Sequence, residues 1–556
     1  MNRAVAYSNN DVAFLVWSYD APIADCLGFS VRRIDVVTGV KTPLHAWVGF
    51  EGEDNKAWQP KTTDTWPVQK FSWRDFEAEG GKSYRYEIVP MTGTPGALAE
   101  SAPVLMTNDV TLTTARGDIS VAFTNGILST QFLAHTLPPG KDGPSLTALK
   151  SDIFDPTNDL RKKLAGDVLP MLRLLLERAK ENGGACYCAL YELTDPELLG
   201  LLEGNKQVHL ILSNTGKDDS ENHDSRVALH ASGIDISDRD VSGLGNGDHI
   251  GHNKFVVYVD SDDIPKAVLT GSTNWTPNGL CAQSNNAMLI ESEVVARRYR
   301  DYWDRLLADN AKQGPDLRTK NAEAAPPLDL DEGKTNVTIW YSPNTDLITK
   351  PSHNPASPPD LDEVFTIMAA AKQAIFFLIF LPGTPSIIDE ALDMHKNSET
   401  LFIRGAVSSP LAMPSSDVQL VHRPGEPPVV VQASAIKDEF HSWEKELLSA
   451  GNAIIHDKIV VVDPLSDDCV VIMGSHNLGY KASYSNDENL LIIRGNRSLA
   501  EAYAVHVLDV YDHYRFRYLI QQQESKFAGF LQGDDQWQKP YFSGPQRAET
   551  KYWTQT

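Results

Sequence analysis

His456-Asp457-Lys458-Ile459-Val460-Val461-Val462-Asp463, followed by Gly474-Ser475-His476-Asn477, is the stretch from which the fold of this 556-residue chain is read. It has an earlier counterpart, His252-Asn253-Lys254-Phe255-Val256-Val257-Tyr258-Val259-Asp260, followed by Gly271-Ser272-Thr273-Asn274. Each copy is a β-branched and aromatic run of strand length, which predicts two buried strands. Residues two apart on a strand share a face, so histidine and lysine are expected to emerge side by side. An apolar strand that projects an imidazole and an ammonium together carries two groups that are costly to bury. Packing alone does not ask for them.

Working outward, the surroundings of the two copies also match. Ile119-Ser120-Val121-Ala122-Phe123 is answered by Val337-Thr338-Ile339-Trp340-Tyr341, and a helical stretch at 168–176 by one at 361–368. Apolar runs at 185–191 and 374–381 follow, then strands at 208–212 and 401–405. Each half closes on a helix, at 293–307 and 500–518. A repeat of about 200 residues is too long for a solenoid unit. The expected fold class is α/β: two duplicated domains whose apolar strands are covered by helices, preceded by an all-β sandwich.

The pattern H-x-K-x-x-x-x-D followed by G-S-x-N, in two copies on one chain, resembles the phospholipase D superfamily. The second copy fits directly, whereas one extra residue separates Lys254 from Asp260. The resemblance implies a phosphoric diester hydrolase that works through a covalent phosphohistidine. Splitting the displacement in two suits a phosphodiester, whose anionic phosphorus and poor leaving group resist direct attack. One imidazole attacks phosphorus while the other protonates the leaving oxygen and later activates water. Carried onto this chain, His252 attacks and His456 protonates. Lys254, Lys458, Asn274 and Asn477 would hold the non-bridging oxygens as charge builds, with Ser272 and Ser475 ordering the turns. Glu488 matches the family's glutamate after the second motif and would fix an imidazole tautomer. Asn286 is read as its counterpart in the first half. Asp260 and Asp463 are supporting candidates for which a strand-capping role is the expectation.

No metal or other cofactor is expected, because the chain has no H-E-x-x-H and no clustered carboxylates. His249, three residues before His252, is read as a loop residue. His476 is left open between substrate contact and structure. Hydrophobic content of 42% and charged content of 22% are those of a globular protein. A net charge of −24 repels polyanions at long range and argues against broad nucleic-acid coating. Five cysteines make no disulfide framework, and Cys186 and Cys188 are read as buried thiols. Residues 1–20 lack a signal-peptide core and no later stretch approaches a membrane span, so a soluble, cytoplasmic protein is expected, with non-classical export left open.

The domains are read as a sandwich at 1–112, phospholipase D-like domains at 113–318 and 335–520, an exposed linker at 319–334, and an aromatic tail at 521–556. Runs at 12–17, 29–34, 68–73 and 83–89 resemble a fibronectin type III domain in pattern, which would brace its neighbour or hold a protein or glycan partner. The Pro-rich loops 351–359 and 423–428 are read as surface loops, with lining of a substrate entrance as the alternative. The tail is expected to fold back onto the body through Trp537, Tyr541, Phe542, Tyr552 and Trp553. The favoured substrate is a phospholipid or other small phosphodiester. A metal-independent nuclease is the alternative, since 284–290 resembles the segment after the motif in small bacterial nucleases of the superfamily. A catalytically weak phospho-ligand-binding module is the second.

Overall fold

The computed structural model describes all residues except 1, 54, 56–58, 127–144, 216–218, 243, 245–248, 348–355, 399, 409–429, 433–453, 522–528, 545 and 556. The loop 423–428 and most of 351–359 therefore lie outside the described residues.

Two sheets of the same strand order carry the duplicated halves. Edge to edge, the first runs Ala115–Arg116, Ile119–Phe123, Asn286–Ile290, Pro265–Gly271, Lys254–Val259, Ala185–Leu190, Val208–Ser213 and Asp235–Arg239. The second runs Leu328–Leu330, Thr335–Ser342, Asn486–Arg494, Val470–Gly474, Lys458–Val462, Ala374–Ile379, Phe402–Val407 and Val430–Gln432. Lys254–Val259 and Lys458–Val462 are central, antiparallel to both neighbours. They are buried along their whole length, which is why they read as continuous apolar runs rather than alternating ones.

The helices Glu293–Ala308 and Arg497–Gln521 lie in the core between the sheets. In the first, Val295, Ala296, Tyr299, Tyr302, Trp303 and Leu306 form one buried stripe at helical spacing. The outer faces are covered by Val168–Asn182 in one half and by Pro359–Ala369 and Ile387–Asn397 in the other. Gly183 (φ +72°) stops the first of these in the left-handed conformation usual at a helix end.

The N-terminal region is all-β. Arg3–Ser8, Ala13–Ser18 and Ser72–Asp75 form one sheet, and a second is built around Cys26–Asp35 and Ser83–Thr94. Of the expected strand at 68–73, only Ser72 onward is regular strand, with Val68 held by a single bridge to Phe29. The tail folds back as expected. Trp537 enters the sandwich core beside Phe29 and Phe71, while Trp553 lies against Tyr7, Phe14 and Phe376.

The stretch 319–334 is largely exposed and includes regular structure at both ends. Pro315–Ala322 is a helix and Leu328–Leu330 pairs with Thr335–Ser342. Arg318 donates to the carbonyls of Gln313, Thr345 and Tyr484, and Asn321 to that of Pro343. These bonds come from residues distant in sequence, which local composition does not register.

All five cysteines are buried and unbridged. Among the described residues, no helix is long and apolar enough to cross a membrane.

Candidate active site

The histidine of each half is held by the sheet of the other. Ile250–Gly251 joins the second sheet, parallel to Asn486–Arg494, and the His252 amide donates to the Asp487 carbonyl at 2.9 Å. Reciprocally, Ile455 bridges Ser284, and the His456 amide donates to the Ser284 carbonyl at 3.0 Å. Each histidine thus sits two residues ahead of its strand, not on it. The lysine heads the strand and its ammonium reaches back to its own histidine's carbonyl: Lys254 Nζ at 2.7 Å from His252 O, and Lys458 Nζ to His456 O.

This exchange sets the imidazole partners. His252 Nδ1–H donates to the Glu488 carboxylate at 2.9 and 3.0 Å. His456 Nδ1 lies 2.9 Å from Asn285 Oδ1. The Asn285 amide is fixed by its other contacts, since Nδ2 donates to Gly279 O at 2.9 Å and Ser272 Oγ donates to Oδ1. An amide oxygen therefore faces His456, so this ring also carries its proton on Nδ1. Both Nε2 atoms are left as lone pairs. The counterpart of Glu488 is Asn285, not Asn286. The reading from sequence was one residue out, because it lacked the shared asparagine that sets the register. Asn489 and Asn286 are true equivalents, the first donating to Asn253 Oδ1 at 3.0 Å and the second to Asp457 Oδ1 at 2.8 Å.

The turns that carry Asn274 and Asn477 require glycine. At Gly271 (φ +154°) and Gly474 (φ +148°) a Cβ would fall 2.3 Å from the carbonyl oxygens of Asn286 and Asn489. Ser475 Oγ accepts the Asn489 amide at 3.0 Å, and Ser272 Oγ accepts that of Asn286 at 3.1 Å. Asn274 Oδ1 and Asn477 Oδ1 are buried without a hydrogen-bond partner in the structure.

His252 and His456 are each 4% exposed, and Glu488 and Lys458 are fully buried. Burial pushes the His252 pKa down to about 4 against the pull of Glu488. His456 is held well below its usual range by burial, then by Lys458 and Lys254, and its ring meets the neutral amide of Asn285. Burial also takes Lys254 down to about 8 and Lys458 well below the usual lysine range. Burial alone would raise the Glu488 carboxyl, but His252 and Lys254 bring it below its ordinary value. Burial thus favours two neutral imidazoles beside an ionised carboxylate and disfavours the charged form of both lysines, which a bound anion would stabilise.

The remaining candidates lie elsewhere. Asp260 accepts the amides of Asp262 and Ile264 in the hairpin turn beyond the first strand. The extra residue before it is taken up by an irregularity at Tyr258/Val259, so it does not displace Lys254. Asp463 accepts the amides of Lys372, Gln373 and Ala374 at the far end of the second strand. His476 is buried, with Nε2 on Ser483 Oγ and Nδ1 accepting the Leu478 amide. His249 is a loop residue that is buried and held by Gln313. Among the described residues no cluster of three or more His, Cys, Asp or Glu is placed to hold a metal.

Three residues of the cleft escape a motif-based reading. Tyr191 packs on His252, and Phe380 on His456, each with ring centroids 4.8 Å apart. Glu192, beside Tyr191, accepts a hydrogen bond from Asn274 Nδ2 at 2.5 Å. The repeat of Tyr191 in Phe380 was visible in sequence as the last aromatic of matching apolar runs.

Residues 413–507 match the family model described as "Cardiolipin synthase, PLD-like domain". No curated protein matches the chain. Among solved structures, the chain is similar to polyphosphate kinase from Porphyromonas gingivalis (12% identity, 58% of this chain and 42% of that one, TM-score 0.35). It spans less than half of that kinase. Phosphatidylserine synthase from Haemophilus influenzae Rd KW20 matches at 10% identity over 65% of this chain and 93% of that one, TM-score 0.38. Nuc from Salmonella typhimurium, a phospholipase D family member, matches at 22% identity over 24% and 85%, TM-score 0.20.

Proposed function

We propose that the chain is a phospholipase D superfamily enzyme whose cleft cleaves or transfers a phosphodiester through a covalent intermediate on His252, a reading supported by the family-model match over residues 413–507 and by the two matched motifs. The observation that carries the reading is the reciprocal clamp: each half's histidine is buried against the other half's carboxylate or amide, with a lysine beside it.

His252 Nε2, with Nδ1–H on Glu488, forms a bond to phosphorus as the bond to the leaving oxygen breaks. Glu488 stabilises the positive charge that spreads onto the ring. Lys254 and Lys458 offset charge on the non-bridging oxygens, and the Asn274 and Asn477 amides donate to them. His456 becomes the acid on substrate entry, because an anion between the lysines offsets both the cost of charging a buried ring and the repulsion from Lys458 and Lys254. Its Nε2–H protonates the leaving alkoxide. In the second step His456 Nε2 takes a proton from water, or from an acceptor alcohol, whose oxygen replaces His252 on phosphorus. No step requires a metal ion.

A phospholipid or other small phosphodiester is the favoured substrate, supported by the net charge of −24. The test is product formation from phosphatidylcholine vesicles and single-stranded DNA in parallel, with excess EDTA and with His252→Ala and His456→Ala as blanks. Alcohol release abolished in both blanks supports the reading. DNA cleavage alone would replace it with the nuclease, and activity lost to EDTA would overturn the metal-free mechanism.

A further inference from the structure

Besides the unlike partners of the two histidines, the halves of the cleft differ in charge at the residue that follows the stacking aromatic ring. Tyr191 stacks on His252 with Lys254 Nζ 5.0 Å from its ring centre, and Phe380 stacks on His456 with Lys458 Nζ 5.1 Å from its ring centre. The next residue is Glu192 in the first half and Leu381 in the second, the latter 38% exposed. Glu192 is held in place by its backbone, whose carbonyl accepts the Trp275 amide at 3.0 Å. Its carboxylate can only accept, so Asn274 must turn Nδ2 toward it. Asn274 is buried, 4% exposed, and its Oδ1 is left without a partner. This flank of the cleft thus presents a carboxylate, bonded to Asn274 and facing Lys254, beside an amide oxygen that has no partner among the described residues. The flank at Leu381 is apolar.

We propose that Glu192 is a specificity-determining residue that accepts a hydrogen bond from a hydroxyl or ammonium group carried by the substrate alcohol close to the ester oxygen. The inference rests on the cleft being a phosphodiester site. A carboxylate next to a phosphate-binding amide is unfavourable for a bare phosphate and becomes favourable when the substrate brings its own donor. A site built to pair a donor discriminates strongly against the analogue without it, because its buried acceptors then stay unpaired. Burial holds the Glu192 carboxyl above the usual range against the pull of Lys254, and Glu221 adds to that rise and disfavours a second anion on this side.

The test uses the full chain and three p-nitrophenyl diesters that differ only in the other ester group: 2-aminoethyl, 2-hydroxyethyl and propyl. The wild type is expected to favour both donor-bearing esters over the propyl ester by about tenfold or more in kcat/KM. Glu192→Leu should bring the three ratios together. Glu192→Gln, which keeps an acceptor but no charge, should retain the hydroxyethyl preference and lose most of the aminoethyl one, so the two donors are told apart. Ratios cancel any common loss from a disturbed Asn274. A wild type indifferent to the ester group, or a preference that survives Glu192→Leu, overturns the inference. If the wild type turns over none of the three, the catalytic reading has failed. Calorimetric titration with 2-aminoethyl phosphate and propyl phosphate then decides: a preference for the former that Glu192→Leu removes supports the inference, and equal affinities overturn it.

Discussion

Replacing Glu488 by glutamine would remove one charge from the cleft while keeping one acceptor oxygen toward the His252 N–H. Glu488 Oε1 accepts from His252 Nδ1 and also from Asn486 Nδ2 at 3.0 Å. The amide of Asn486 can only donate through that nitrogen, so it would keep a glutamine oxygen at the same position, still facing the His252 N–H. The tautomer is preserved through Oε1, while the counter-charge and the contact at Oε2 are lost. At 2.9 Å, and with an effective dielectric of about 20, a full imidazolium charge is worth about 5.5 kcal/mol to that carboxylate. With about half the charge developed in the transition state the loss is about 2.8 kcal/mol, or roughly two factors of ten in rate. The expected result is a drop of about 10²-fold in kcat with KM changed little, since the interaction strengthens only as the ring becomes cationic. Steady-state kinetics on whichever diester is found to turn over, with thermal denaturation to confirm the fold, is the assay. A loss under about threefold in a protein that melts like the wild type would refute the nucleophile assignment for His252.

The remaining expectations concern proton transfer and assembly. His456→Ala should lose about 10³-fold on an alkyl diester but under tenfold on a p-nitrophenyl diester, whose leaving group needs no acid, whereas His252→Ala should lose both; the reverse pattern would exchange the roles. Attack needs a neutral His252, so kcat/KM should fall as pH drops through about 4, and Glu488→Gln, which removes the group holding that pKa up, should move this limb to still lower pH. The acid must be protonated, and His456 sits well below its usual range in the free enzyme, so kcat/KM should already be falling below neutral pH; an optimum above pH 8 would exclude His456 as the acid. Trp553→Ala, at a side chain with no exposure, should cost about 3–5 kcal/mol by denaturant titration, and a cost under 1 kcal/mol would mean that the tail does not secure the sandwich.

Much of the framework is legible in the chain because its central strands are buried on both faces. Residues 254–259 and 458–462 have no alternation to misread, and the matching order of their neighbours exposes the duplication. What local pattern does not carry is the exchange between halves. The pairings of Gly251 with Asp487 and Ser284 with Ile455 join residues far apart in sequence, and they alone decide that His252 meets Glu488 while His456 meets Asn285. Glu192 is hidden for a different reason. It follows an apolar run as an ordinary strand-end acid, and only the fold brings it to Asn274. Asp260 and Asp463 share their motifs with the candidate histidines and lysines, yet their carboxylates are occupied by backbone amides.

The tail has a consequence for how the protein is made. Tyr7 donates to the Trp553 carbonyl at 2.8 Å across 546 residues of sequence, and the same indole closes over Phe14. At roughly 5–20 residues per second of synthesis, the first strands wait on the order of half a minute to two minutes for the segment that seals them. Throughout that interval an aromatic face stands open on the nascent chain. The latch between the sandwich and the second half is therefore a late event of biogenesis, and a ribosome stalled shortly before Trp553 would leave a chain with its motifs complete and its first domain unfastened.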